Sequence, residues 1–391
     1  MSEEEKQKNE VKVEIVDKTV DDDHLSPEEY QEKVKDLTQE LYDEFSSFLE
    51  TKENITTDSR DKETISTGID LVDAILGGGF AIGALNIIVG QPGSGKTMLA
   101  IQTLGSGQIQ YEGKLLGAFL DSEEATTKLR LANLGVRHPM VTPYGDMTIE
   151  KVFKFLEGVC VFKQKKKIVD TPSAIIWDSI ANTLSEKERE AEDVNQVIGY
   201  KARMLSILIP KYVAKCAQHN ICFLAVNQLR DVINIGQFAA PKDLKFMSAS
   251  KDMPGGNTLK FNAFQLVEMK VKSAIAPGAT EDSNKYGFEG VIVKLKCVKN
   301  KLFPPNIEIE MVGSFITGFS NFWTNYNFLK LTKRLQSGAW NFLITLPEKK
   351  FRKKDAPALY ASDADFKAAY DAAAKEAINT EIIEKYNPAV E

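Results

Sequence analysis

Residues 85–104 place an apolar strand, a glycine-rich turn and a helix start in immediate succession, and few folds can use that arrangement. Leu85–Val89 is a continuous apolar run, and Thr97–Leu104 reads as the opening of a helix. Between them Gly90, Gln91, Pro92, Gly93, Ser94, Gly95, Lys96 and Thr97 spell GQPGSGKT. Glycines at this spacing let backbone N–H groups converge on phosphate oxygens, and the helix N-terminus adds a favourable dipole. Lys96 is placed to neutralise the outer phosphates and Thr97 to ligate Mg²⁺. The implied ligand is a nucleoside triphosphate with its metal.

A strand that feeds such a loop belongs to an open α/β sheet. Leu115–Leu120, Ala174–Trp177 and Ile221–Val226 are near-continuous apolar runs, the texture of buried parallel strands. Gln265–Val271 and Val291–Val298 alternate more and suggest antiparallel strands at one side. The expected fold class is α/β, a phosphate-loop core with a mostly parallel central sheet over residues 61–330.

The C-terminal ends of such strands face the ligand crevice. Asp178 follows Ala174–Trp177 and is a candidate second metal-side carboxylate, or else a cap for the next helix. Hydrolysis also needs a group that orients water. Glu123, in FLDSEE, is the candidate, against a reading as a solvated loop acid. Asn227 and Gln228 end the fourth strand with two amides that can sense a γ-phosphate.

The two ends have a different texture. Residues 1–24 are charged apart from an alternating stretch, Val11–Val16. Ser26 and Pro27 then form a helix start. Apolar positions at Tyr30, Val34, Leu37, Leu41, Phe45 and Phe48 predict one amphipathic helix over 27–52. A strand and a single helix cannot bury themselves, so residues 1–60 are expected to dock on the core or on a neighbouring protomer. Residues 331–391 carry a basic run, KKFRKK at 349–354, and an alanine-rich helical stretch from Ala358 to Ile383. They are expected to form a small appendage.

Composition narrows the class. No apolar stretch of the 391 residues is long enough to span a bilayer, so no membrane is expected. The acidic opening MSEEEKQKNEVK predicts no secretory leader. Cys160, Cys216, Cys222 and Cys297 lack metal-ligand or CxxC spacing and read as reduced, buried thiols, which points to a cytoplasmic setting. With a net charge of −6, a nucleic-acid partner requires a local basic surface.

The ordered blocks GQPGSGKT, FLDSEEA, IIWDSIANTL, IGYKARM, LAVNQLR, PGGNTLKF and CVKNK, between about Thr67 and Val312, resemble the RecA family of homologous-recombination ATPases. The SEKEREAED stretch and the chain's ending are more similar to phage recombinases of the UvsX type. The resemblance implies ATP and Mg²⁺ as cofactors. It implies Glu123 as the catalytic glutamate, Asp178 as the metal-side acid and Gln228 as the switch between γ-phosphate and DNA loop. Lys299 and Lys301 match the pair that reaches across a filament interface to the neighbour's triphosphate, and Lys260 and Phe261 match residues lining that interface. Arg130 occupies the base-stacking position, where a guanidinium can lie flat on adenine.

The same resemblance implies two DNA-facing loops. The first, Glu186–Gly199, is acidic, with Ile198 at a wedge position and Arg203 following on a helix. The second, Leu229–Pro254, is long enough to suggest function and carries Arg230, Lys242, Lys245 and Lys251, with Ile233 as a second wedge. Gly255, Gly256 and Asn257 then open a helix whose N–H groups can take a phosphate. The expected function is an ATP-dependent recombinase that polymerises on single-stranded DNA and exchanges strands with double-stranded DNA. Mediator and single-strand-binding proteins are candidate partners. The alternatives are a hexameric helicase with a RecA core and a non-hydrolysing recombination mediator. Ring motors usually place an arginine finger near the strand that carries Lys299, and no arginine follows here.

Overall fold

The computed structural model describes residues 62–124, 126–137, 140–141, 147–193, 197, 199–231, 251–276 and 286–386. Val11–Val16, the 27–52 helix, Ile198, Ile233, Lys242 and Lys245 lie outside the described residues. For Arg230 and Lys251 only the backbone is described.

The apolar runs become strands because both of their faces are covered. The main sheet contains β1 (Ala84–Gly90), β2 (Leu116–Asp121), β3 (Met140–Val141), β4 (Ser173–Asp178) and β5 (Ile221–Gln228). It continues with β6 (Gln265–Ile275), β7 (Gly290–Lys299), β8 (Glu308–Ser314) and β9 (Gly318–Phe319). Their spatial order is β9-β8-β7-β6-β1-β5-β4-β2-β3. Every residue of β1 is buried. Leu85, Ile87 and Val89 enter one apolar cluster while Ile88 enters another. Side chains that alternate across the pleat thus serve two cores.

Helix α1 (Lys96–Gln110) packs on one face through Met98, Leu99, Ile101 and Leu104. Helices α2 (Ile149–Lys166) and α3 (Tyr200–Gln218) cover the other through Val152, Phe153, Leu156, Leu205, Ile209 and Tyr212. Helix α2 starts where Thr148 accepts a hydrogen bond from the Lys151 N–H, and its buried residues recur at helical spacing. Trp177 stacks on Phe223 with ring centroids 6.1 Å apart, and Phe153 meets Trp177 edge-on at 5.9 Å. Each such pair contributes about 1 kcal/mol beyond area burial, which stiffens the layer beneath the strand ends.

All pairings from β6 to β3 are parallel, and those from β6 out to β9 are antiparallel. The reading of the last two apolar runs as antiparallel strands at one side therefore needs correction for the first of them. β6 is parallel to β1 over Gln265–Met269 and antiparallel to β7 from Leu266 to Ile275. Its first five residues are buried, and the next five, beyond the end of β1, are exposed. That change of environment produces its mixed hydrophobic pattern.

All four cysteines are buried and unpaired, as expected. No helix among the described residues is long and apolar enough to cross a membrane.

After β9, helix Asn321–Leu331 leads into a three-stranded sheet (Leu335–Gln336, Asn341–Leu343, Leu346–Phe351) and the helices Ala356–Ser362 and Ala364–Ile378. A third apolar cluster joins Trp323, Tyr326, Phe351, Phe366 and Tyr370 to Val312 of β8. In the basic run, Lys349 bonds Asp363 at 2.7 Å and the Lys353 ammonium sits 3.6 Å from the centre of the Tyr286 ring.

Candidate nucleotide site

Parallel register brings the expected residues to one sheet edge. Gly90 lies level with Gln228, Asp178 with Val226, and Asp121 with Asp178. A cavity of about 330 Å³ opens there, lined among others by Lys96, Thr97, Glu123, Arg130, Asp178 and Gln228.

The loop's glycines answer to specific constraints. A Cβ on Gly90 would lie 2.4 Å from the Met269 carbonyl oxygen of β6. Gly95 has φ of 83° and stands as the N-cap of α1. No side chain caps that helix, so its first N–H groups face the cavity edge without a competing partner of that kind. The Ser94 hydroxyl and the Lys96 ammonium both donate to the Gln91 carbonyl, each at 2.8 Å. This cross-brace fixes the lysine over the loop. Burial pulls the Lys96 ammonium's pKa down, opposed by the charges of Asp178 and Glu123.

Asp178 ends β4 and is buried. Its carboxylate accepts a 2.5 Å hydrogen bond from the Thr97 hydroxyl, so it holds α1 instead of capping its own following helix. Burial pushes its pKa up to about 7; Glu123 and Asp121 add to the rise, while the Thr97 bond and Lys96 oppose it. Three carboxylates thus share this edge with one lysine. The Asp121 carboxylate is taken up by backbone N–H groups, so the oxygens that fit Mg²⁺ are those of the adjacent pair Thr97 and Asp178.

Glu123 is fixed from two sides. Its backbone N–H donates to Asp121 at 3.0 Å, and Asp121 also accepts the Thr126 N–H at 3.0 Å. Its Oε1 accepts the Ser179 hydroxyl at 3.0 Å and the Asn182 amide at 2.6 Å. It is therefore bonded at the cavity wall, unlike a freely solvated loop acid.

At the tip of β5, Asn227 is fully buried. Its Nδ2 donates to the Pro254 carbonyl at 2.8 Å and its Oδ1 accepts the Gln228 N–H at 2.9 Å. Just beyond, Arg230–Asp231 pairs antiparallel with Lys251–Asp252. Gln228 thus lines the cavity and also stands at the root of a ribbon that bounds the long second loop. Arg130 lies on helix Lys128–Asn133, and its guanidinium donates to the Phe315 carbonyl.

The family model described as RecA N-terminal domain matches residues 52–320. The chain belongs to the RecA family. It is 30% identical over 262 residues to Protein RecA of Borreliella afzelii (strain PKo), covering 66% of this chain and 64% of that relative. It is 29% identical over 259 residues to Protein RecA of Borrelia hermsii (strain HS1 / DAH), covering 66% of each. The chain spans just under two thirds of the length of these curated relatives. The C-terminal sheet and helices follow the matched segment.

In this RecA-family chain, Lys299, Lys301, Lys260 and Phe261 do not join the cavity. Lys299 lies level with Leu266, which lies level with Ile87. It is thus three residues back along β1 from Gly90, roughly 10 Å from the loop's start, and the chain continues away from it. Its ammonium donates to the Lys260 and Phe261 carbonyls at 2.9 and 2.8 Å, closing the end of helix Asn257–Asn262. Lys301 sits 5.6 Å from the Phe264 ring centre, and Phe261 is 73% exposed.

Of the expected DNA contacts, Arg203 is exposed near the start of α3. Gly255 and Gly256 both have positive φ, and no side chain caps the short helix that Asn257 opens. Sequence reasoning missed Asp121, Ser179, Asn182 and Phe315. Asp121 and Ser179 adjoin residues already singled out, so adjacency was the available signal. Asn182 and Phe315 reach the site through the fold alone.

Proposed function

We propose that this chain is an ATP-dependent recombinase that forms helical filaments on single-stranded DNA and exchanges strands with double-stranded DNA. The observation that carries this reading is the convergence of Lys96, Thr97, Asp178, Glu123 and Gln228 on one cavity whose wall leads into the loop after β5. In this reading Lys96 balances phosphate charge, and Thr97 and Asp178 hold Mg²⁺, which when bound neutralises phosphate oxygens. Glu123 orients the attacking water and accepts its proton. Arg130 lies against the adenine. Gln228 relays the state of the γ-phosphate to the second DNA loop, where Arg230, Ile233, Lys242, Lys245 and Lys251 meet DNA. Ile198 and Arg203 serve the first loop, and Gly255, Gly256 and Asn257 bind a DNA phosphate. Lys299 and Lys301, with Lys260 and Phe261, serve the next protomer's nucleotide, because a position roughly 10 Å back along the sheet from their own loop suits a neighbour.

Residues 1–60 are then the docking element between protomers, 61–330 the ATPase core and 331–391 an appendage. Action in the cytoplasm alongside single-strand-binding and mediator proteins completes the reading. The test is Glu123→Gln. ATP binding and DNA-bound filaments are expected to persist while turnover falls by about a hundredfold or more. Unchanged turnover would overturn the assignment of Glu123.

A further inference from the structure

We infer that Asn182 is a positioning residue that restrains Glu123 until DNA is engaged. The inference rests on the reading of Glu123 as the group that orients water. Asn182 donates to Glu123 Oε1 at 2.6 Å, and the Ser179 hydroxyl donates to the same oxygen at 3.0 Å. Two donors on one oxygen hold the carboxylate in one direction at the cavity wall.

The two donors differ in how they are held. Ser179 directly follows Asp178, and its N–H donates to the Ser122 hydroxyl at 2.9 Å, so it is locked between β2 and β4. Asn182 is exposed and sits in the turn that leaves β4. The start of the first DNA loop and the helix that follows it grip that turn. Lys201, in the first turn of α3, donates to the Ile180 and Ala181 carbonyls at 3.3 and 3.1 Å. Three residues after Asn182, Ser185 forms a capping box with Glu188 of helix Glu186–Glu190. Between these grips, Thr183 is pinned to Trp177 and to the Ser179 carbonyl, each at 2.8 Å. A shift of either flanking element therefore reaches Asn182 through one short, tightly bonded turn. Withdrawing its amide leaves Glu123 with the Ser179 bond alone, free to turn its carboxylate toward a water in the cavity.

The experiment measures steady-state ATP turnover of the full chain with and without single-stranded DNA, for wild type, Asn182→Ala, Asn182→Leu and Glu123→Gln. Both Asn182 variants lose the amide donor, and the surface position leaves folding intact. Their kcat without DNA is expected to rise about ten- to a hundredfold, the scale of one charge-assisted hydrogen bond, with KM for ATP unchanged. Their kcat with saturating DNA is expected to match wild type, so the stimulation by DNA shrinks. Glu123→Gln is expected to be inactive in both conditions. A parallel fall of both rates in the Asn182 variants, or no change in either, overturns the restraint while leaving the recombinase reading intact. Wild-type protein that hydrolyses no ATP even with DNA overturns both.

Discussion

The Thr97 hydroxyl and the Asp178 carboxylate meet at 2.5 Å, joining the first turn of α1 to the end of β4 across 81 positions of sequence. This bond places the two oxygens suited to Mg²⁺ side by side. Asp178→Asn keeps the shape and removes the charge. Its nucleotide affinity in Mg²⁺ is expected to fall by about a hundredfold, on the scale of a lost buried charge–metal contact. Titration with and without EDTA checks this: chelation should weaken wild type strongly and the variant hardly at all.

Gly90 touches the neighbouring strand so closely that any side chain collides with Met269. Gly90→Ala is expected to cost about 1–3 kcal/mol by overpacking at the junction of β1 and β6. Thermal unfolding and nucleotide binding should both suffer, since the strand and the loop share this residue.

Asp121 is nearly fully buried and accepts the N–H groups of Glu123 and Thr126. Asp121→Ala leaves one buried and one half-buried donor unsatisfied, at a cost of about 2–4 kcal/mol. Because the turn carries Glu123, kcat is expected to fall while the dissociation constant for nucleotide holds. An equal loss in both would assign Asp121 to folding alone.

Asp73 supplies a pH signature remote from the site. It accepts hydrogen bonds from the Ser66 hydroxyl and from the Thr67 N–H and hydroxyl. Burial nonetheless outweighs those bonds and raises its pKa to about 6. A carboxyl raised in the fold contributes stability that is full below its unfolded pKa near 3.8 and is lost as pH rises through about 6. The full span is about 3 kcal/mol. Asp73→Asn does not titrate, so its stability relative to wild type should improve between pH 4 and pH 7 in urea unfolding. A difference that stays flat with pH contradicts this.

Much of the core was legible because its signals are local. A phosphate loop requires strand, glycines and helix in one order, and parallel strands buried on both faces read as unbroken apolar runs. Asp178 and Glu123 could be named because they follow such strands directly. The mixed pairing of β6 was not legible: its direction relative to β1 depends on a partner nearly two hundred residues earlier, while its pattern reports only burial. Asn182 and Phe315 were hidden for the same reason, since a side-chain amide or a backbone carbonyl carries no sequence signal for a distant partner. The residues at the far end of β7 were legible only through resemblance. Taken alone, a lysine pair at a strand end reads as a solvated surface.

The central claim is that each nucleotide site is completed by a neighbour. Two variants test it: Lys96→Ala, which disables the phosphate loop, and the double change Lys299→Ala with Lys301→Ala, which disables the opposite edge. Each alone should hydrolyse almost no ATP on single-stranded DNA. Mixed in equal amounts, they should regain activity, because about one head-to-tail interface in four pairs an intact loop with an intact lysine pair. If the mixture stays as inactive as its components while wild-type filaments remain active, the lysines serve their own chain and the account of a shared site is wrong.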